Sequence, residues 1–275
     1  MPAFGKIPSN VPTRLAAIFL LSVLTWLTVA SDATGIKLIA MLTAGLVFSI
    51  WRQPQAVIRR IAKIFVFAGY RIDTNGLSAH DGPAVIICNH VSFIDAILIS
   101  AVYKRPIRFV THYTFAKIPV LGRIFYHLGA IPIASRQENP AVLSRAFNTI
   151  SAALADGQTV CIFPEGQITY DGKLGQFKRG IEHILGRNPV PVIPLAIHGL
   201  WGSFFSRCYG RAMTRPLTII RRFRSQIKIF HHDPIDPNQP KNRHLATADN
   251  LHSIVGNLLQ GDVRSHLFTS HTVDC

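Results

Sequence analysis

Six short, almost unbroken apolar runs, AVIICN, IRFVT, AIPIA, TVCIFP, VPVIPLAI and IKIFH, lie between residues 84 and 231 and alternate with segments of helical spacing. A strand with one face in water alternates apolar and polar residues, so runs without that alternation have to be covered on both faces. Such strands, separated by helices, specify an α/β fold: a mostly parallel covered sheet with flanking helices. The helical candidates span 95 to 103, 114 to 127, 141 to 155, 177 to 186 and 243 to 260, the last after the turn-rich link DPIDPNQPKNRH. Open sheets of this kind place chemistry beyond the C-terminal ends of their strands.

The chain ahead of this pattern has a different character. Two apolar stretches, LAAIFLLSVLTWLTVA from 15 to 30 and IKLIAMLTAGLVFSIW from 36 to 51, are joined by the polar turn SDATG. Each makes a helix roughly 24 Å long at 1.5 Å per residue, short of the roughly 30 Å hydrocarbon core of a bilayer. We therefore expect an N-terminal apolar two-helix membrane hairpin over 1–52. Lys6 and Arg14 precede it and Arg52, Arg59, Arg60 and Lys63 follow it, so both flanks read as cytoplasmic. A cleaved signal peptide fits less well, because the second stretch is again hydrophobic and no small-x-small site is evident. Residues 53–70, with Val57, Ile58, Ile61, Ile64 and Phe65 at helical spacing between cations, form a basic amphipathic linker helix suited to a membrane surface or to domain packing.

Composition supports a membrane contact: 48% hydrophobic residues against 16% charged, with a mean hydropathy of +0.26. The net charge of +15 favours polyanions, either nucleic acid or anionic head groups. No RNP-like aromatic strand or GXXG loop is evident, so nucleic acid is not the expected partner. Cys88, Cys161, Cys208 and Cys275 show no CxxC pairing or zinc spacing, and neither a disulfide framework nor a bound metal is expected.

The polar residues at the strand ends form a short series. In CNHVSFID, His90 and Asp95 are five positions apart, and within one regular helix they would point about 140° away from each other. They meet only if His90 precedes the helix, where Asp95 can fix the imidazole tautomer and leave the other nitrogen free as a base. A capping or core hydrogen bond is the plainer alternative for such a pair. GAIPIASR ends in Arg136, FPEGQIT places Glu165 at a strand end between Pro164 and Gly166, and FKRG sets Lys178 and Arg179 at a helix start suited to an anion.

Taken in order, these segments resemble the PlsC-like glycerolipid acyltransferases over roughly 70 to 235. The NHxxxxD block stands as Asn89, His90 and Asp95, and the second block as Gly129, Ile131, Ile133 and Arg136. The FPEGxxS/T block stands as Phe163, Pro164, Glu165, Gly166 and Thr169, and the fourth as VPVIPLAI with Pro194. Pro132 replaces a frequent aromatic and Thr169 the commoner serine. The resemblance implies that 71–275 is an acyltransferase domain making phosphatidic acid from lysophosphatidic acid. His90 would be the general base and Asp95 its partner, with acyl-CoA or acyl-ACP as co-substrate and no bound cofactor. Arg136, helped by Lys178 or Arg179, would bind the acceptor phosphate, and Glu165, Gly166 and Thr169 belong to acceptor binding. Backbone amides near Gly166 would supply the oxyanion site. The resemblance also implies a membrane location with the active site on the cytoplasmic face. GLWGSFFSR looks like the acyltransferase part of proteins that reacylate 2-acyl-glycerophosphoethanolamine, so another lysophospholipid is the alternative acceptor. The cations from Arg207 to Lys228 would meet anionic lipid, or phosphates of CoA or the carrier protein.

Overall fold

The computed structural model describes residues 54–74, 76–77, 80–208, 210 and 225–266, together with isolated helical positions between 22 and 48. The proposed hairpin over 1–52 lies almost wholly outside the described residues. Among these residues, no helix is long and apolar enough to cross a membrane.

Seven strands form one sheet in the order β1-β7-β6-β2-β5-β3-β4. Their ranges are β1 Tyr70–Asp73, β2 Ala84–Cys88, β3 Ile107–His112, β4 Ile131–Ile133, β5 Thr159–Ile162, β6 Val192–His198 and β7 Ser225–His231. β2 to β6 run parallel to one another; β7 is antiparallel to β6 and carries β1 parallel to itself at the edge. All six apolar runs become strands. β1 is additional: the helical spacing of 53–70 runs through Tyr70, where the structure ends the helix at Gly69 and starts an edge strand.

The unbroken apolar run of β2 is explained by its two faces. Ile86 and Cys88 enter one core layer with Val66, Leu98 and Ile99, while Val85 and Ile87 enter the other with Ile150, Ile181 and Leu251. The first layer is covered by α1 (Pro54–Gly69) and α2 (Asp95–Val102). The second is covered by α4 (Pro140–Ala155), α5 (Gly180–Arg187) and α6 (Ala248–His266). Each fully buried aliphatic side chain contributes about 1.5–3 kcal/mol relative to exposure. α4 starts where the residues say it should: Asn139 accepts from the N–H of Val142 at 3.0 Å and Pro140 occupies the first turn.

The helix expected over 114 to 127 divides in two. A 3-10 turn covers Tyr113–Lys117 and α3 covers Pro119–His127. Ile118 between them is extended, with ψ 120, as a residue before proline tends to be. α1 is joined to the domain by Val57 and Val66, both buried, and by Arg59, whose guanidinium donates to the carbonyls of Tyr103 and Lys104 at 3.2 Å. Its other face leaves Ile61, Ile64, Phe65 and Phe67 exposed.

Cys88 and Cys161 are free and buried. Cys208 is disulfide-bonded, contrary to the expectation of no disulfide; four cysteines spaced this widely carry no pairing information in their spacing.

Candidate active site

Because β2 to β5 are parallel, the four segments that follow them open on the same edge of the sheet. His90 follows β2, His112 ends β3, Arg136 follows β4 and Glu165 follows β5. The sequence order of the motifs is thereby converted into neighbourhood in space.

The His–Asp pair meets in the way its spacing requires. α2 begins at Asp95, so His90 lies in the turn before the helix. Asp95 Oδ2 accepts from His90 Nδ1 at 2.8 Å and from the N–H groups of Val91 and Ser92 at 2.8 and 2.9 Å. A carboxylate can only accept, so Nδ1 carries the proton and Nε2 is left with its lone pair. Asp95 is fully buried and the His90 side chain is 20% exposed, which keeps the carboxylate dry and the imidazole reachable. Asp95 Oδ1 is buried without a hydrogen-bond partner.

Phe163 and Asn89 complete the setting of the imidazole. The Phe163 ring lies against the imidazole, with centroids 4.2 Å apart and planes at 17°. Asn89 pairs with Ile197 through two hydrogen bonds of 3.0 and 2.8 Å, locking the end of β2 to β6.

Glu165 has a structural place the sequence did not suggest. Its Oε1 accepts from the N–H of His90 at 2.6 Å and its Oε2 from the N–H of Gly175 at 2.7 Å. The residue is buried. Burial raises its carboxyl to about 7, against the lowering effect of the two backbone hydrogen bonds. A Cβ on Gly175 would sit 2.7 Å from Oε2, so this close approach needs glycine. Nothing in the sequence marks Gly175, ten residues downstream.

The remaining expected site residues fall into two groups. Gly166, Thr169 and Lys178 lie beside the dyad. Gly166 has φ 69, and a Cβ there would lie 2.5 Å from Lys178 Nζ. The Gly166 N–H donates to the Phe163 carbonyl at 3.0 Å, so an oxyanion donor in this turn would be one of the neighbouring amides. Thr169 is buried, donates through its N–H to the His90 carbonyl at 2.9 Å, and spends its hydroxyl on Asp171 at 2.9 Å. Lys178 is tied by its N–H to the Pro164 carbonyl at 2.9 Å, and Arg179 is the exposed residue just before α5.

Arg136 stands apart, exposed in the loop after β4, three strands from β2. That loop is held by a second cluster. Glu138 Oε2 accepts from the N–H and hydroxyl of Ser135 at 3.0 and 2.9 Å, and Glu138 pairs with His112 Nε2 at 3.2 Å. These contacts, the Ser135 N–H first, pull the Glu138 carboxyl down to about 2. Among the described residues, no group of three or more His, Cys, Asp or Glu side chains is placed to hold a metal ion.

Known proteins resemble this chain over the stretch that carries these motifs. Residues 71–198 match the family model described as Acyltransferase. Over 141 residues the chain is 29% identical to a chloroplastic 1-acyl-sn-glycerol-3-phosphate acyltransferase of Arabidopsis thaliana, a stretch that is 50% of this chain and 39% of that one. It is 26% identical over 125 residues to the human 1-acyl-sn-glycerol-3-phosphate acyltransferase beta, covering 45% of this chain and 44% of that one. The matched stretch is thus less than half the length of these relatives. The crystal structure of PlsC, the 1-acyl-sn-glycerophosphate acyltransferase from Thermotoga maritima, superposes with a TM-score of 0.57 at 18% identity, over 95% of this chain and 93% of that one, and so shares the fold. Residues 71–198 carry an acyltransferase domain, and over this stretch the chain resembles the PlsC-like glycerolipid acyltransferases.

Proposed function

We propose that this protein transfers a fatty acyl group from an acyl thioester, acyl-CoA or acyl-ACP, to the free sn-2 hydroxyl of 1-acylglycerol-3-phosphate, giving phosphatidic acid. The observation that carries this reading is the 2.8 Å contact of His90 Nδ1 with buried Asp95 beside a partly open imidazole. His90 Nε2 takes the proton of the lipid hydroxyl as its oxygen attacks the thioester carbonyl. Asp95 stabilises the imidazolium that forms. When the tetrahedral intermediate collapses, the C–S bond breaks and the imidazolium returns the proton to the departing sulfur. No serine or cysteine nucleophile is required, because the attacking oxygen belongs to the acceptor.

Arg136, Lys178 and Arg179 are the cations we assign to the acceptor phosphate. Arg136 suits a bidentate contact and Lys178 a point charge beside Gly166. Thr169 ties its turn to the His90 carbonyl, Gly166 makes room for Lys178, and Glu165 contributes by holding the backbone of His90.

The protein acts at a membrane surface in this reading, facing the cytoplasm. Support comes from exposed Ile61, Ile64 and Phe67 on α1 and Ile118 and Ile124 at α3, interspersed with exposed Arg60, Lys63, Lys117 and Arg123.

A second reading keeps the chemistry and changes the acceptor to a lysophosphatidylethanolamine-type lipid. It is favoured by GLWGSFFSR, whose Ser206 bridges to Ser92 in the catalytic turn. Thiol release from one donor, measured across a panel of lysolipids, separates the two. Highest kcat/KM with lysophosphatidic acid supports the first reading, and highest with lysophosphatidylethanolamine replaces it.

A further inference from the structure

Arg207 lies outside the four motif blocks, yet the fold delivers it to the dyad. The Phe93 N–H donates to the Phe205 carbonyl at 3.1 Å, and Ser92 bridges to Ser206. The residue that follows is therefore fastened to the same turn that carries His90 and Asp95. Its guanidinium carbon is 4.4 Å from the centre of the Tyr170 ring and 5.8 Å from that of Phe93. Phe93 belongs to the first block, and Tyr170 follows Thr169, whose N–H donates to the His90 carbonyl. One ring from each of the two turns that build the site holds this cation.

The contacts leave the chemistry of Arg207 unused. Aromatic rings take the faces of a guanidinium, whereas its five N–H donors lie in the plane and look for acceptors there. Arg207 is half-buried; its carbonyl accepts from the Gly210 N–H at 2.9 Å, but among the described residues its guanidinium has no hydrogen bond or ion pair beyond the two rings. A partly desolvated cation with free donors and a fixed orientation is matched by a bidentate anion.

Sheet order says which anion is within reach. The Arg207 segment follows β6, the immediate neighbour of β2, whereas Arg136 must reach from three strands away on the other side. In a glycerol 3-phosphate the phosphorus is four single bonds from the sn-2 oxygen, so it lies within about 5 Å of the atom that His90 deprotonates. We propose that Arg207 is a specificity-determining residue that binds the acceptor's phosphate from the β6 side; this rests on the acyl-transfer reading above.

The test uses the full chain in detergent, with Arg207→Gln and, to keep the charge but lose the planar fork, Arg207→Lys. The readout is the ratio of kcat/KM for lysophosphatidic acid to that for a phosphate-free monoacylglycerol. Loss of one charged contact predicts a fall in this ratio of about ten- to a hundredfold in Arg207→Gln and a smaller fall in Arg207→Lys. The KM for lysophosphatidic acid should rise while that for acyl-CoA stays within about twofold. Equal losses on both acceptors would make Arg207 a packing residue, and a rise confined to the acyl-CoA KM would assign it to the donor; either result overturns the proposal. Calorimetric binding of lysophosphatidic acid to His90→Ala, with and without Arg207→Gln, needs no turnover. Arg207-dependent binding alongside a wild-type protein that transfers no acyl group would remove the proposed function and leave the phosphate contact standing, and binding indifferent to Arg207 would remove the contact itself.

Discussion

The backbone N–H of His90 donates to Glu165 Oε1 at 2.6 Å, so the histidine of the first motif is held by the acid of the third. With Oε2 taken by Gly175 at 2.7 Å, Glu165 has both oxygens committed to the protein. A residue expected at the acceptor site is positioned to set the turn from which His90 projects.

Removing the charge from Asp95 tests the other support of the base. In Asp95→Asn an amide nitrogen competes for a place where one oxygen now accepts three donors. We expect kcat to fall by about 10²–10⁴ with a much smaller change in acceptor KM. Stopped-flow or steady-state thiol release at saturating acceptor checks this, and a kcat within threefold of wild type would show that Asp95 does not orient the base.

Glu165 gives a pH-dependent expectation for stability. Its carboxyl is raised from 4.5 to about 7 in the folded protein, chiefly by burial, so the native state keeps a proton that the unfolded chain has already released. The stability this provides is full below about pH 4.5 and is lost as pH rises through about 7. Glu165→Gln cannot titrate. Between pH 4.5 and 8 the unfolding free energy of the variant should therefore shift by about 2 kcal/mol in its favour relative to wild type. Denaturant titrations of both proteins across this range measure the shift, and a constant difference would refute the raised value.

Gly166→Ala places a methyl group where φ is +69 and where Lys178 Nζ would be 2.5 Å away. The backbone strain alone costs about 1 kcal/mol, and Lys178 must move. A lower melting temperature together with a several-fold higher acceptor KM is expected. An unchanged KM would detach Lys178 from acceptor binding.

Legibility from sequence followed locality. The six strands were readable because each buries both faces within a few consecutive residues, as Ile86 and Ile87 do on opposite layers. His90 and Asp95 were readable because the turn that unites them is five residues long. β1 was hidden: the four residues Tyr70–Asp73 become a strand only by pairing with β7, more than 150 residues later. Pro119 was the visible sign that the 114 to 127 segment divides, and the apolar spacing across it outweighed that sign. The Glu165–Gly175 contact and the Arg207 cluster depend on loops meeting in three dimensions, and no spacing in the chain encodes either.

The clip on the Arg136 loop gives a further expectation. Glu138→Gln keeps the shape but removes the charge that holds Ser135 and His112. If Arg136 binds the acceptor phosphate from this loop, acceptor KM should rise several-fold with kcat nearly retained. Steady-state kinetics with lysophosphatidic acid checks this, and an unchanged KM would place the loop outside the acceptor site.

The central claim is that His90 is the base for an oxygen brought by the lipid. Thiol release from acyl-CoA, with and without lysophosphatidic acid, for wild type and His90→Ala, tests it most directly. The account predicts acceptor-dependent release in wild type and a rate at least about a hundredfold lower in His90→Ala. Release that proceeds equally without acceptor, or that survives in His90→Ala, would contradict it.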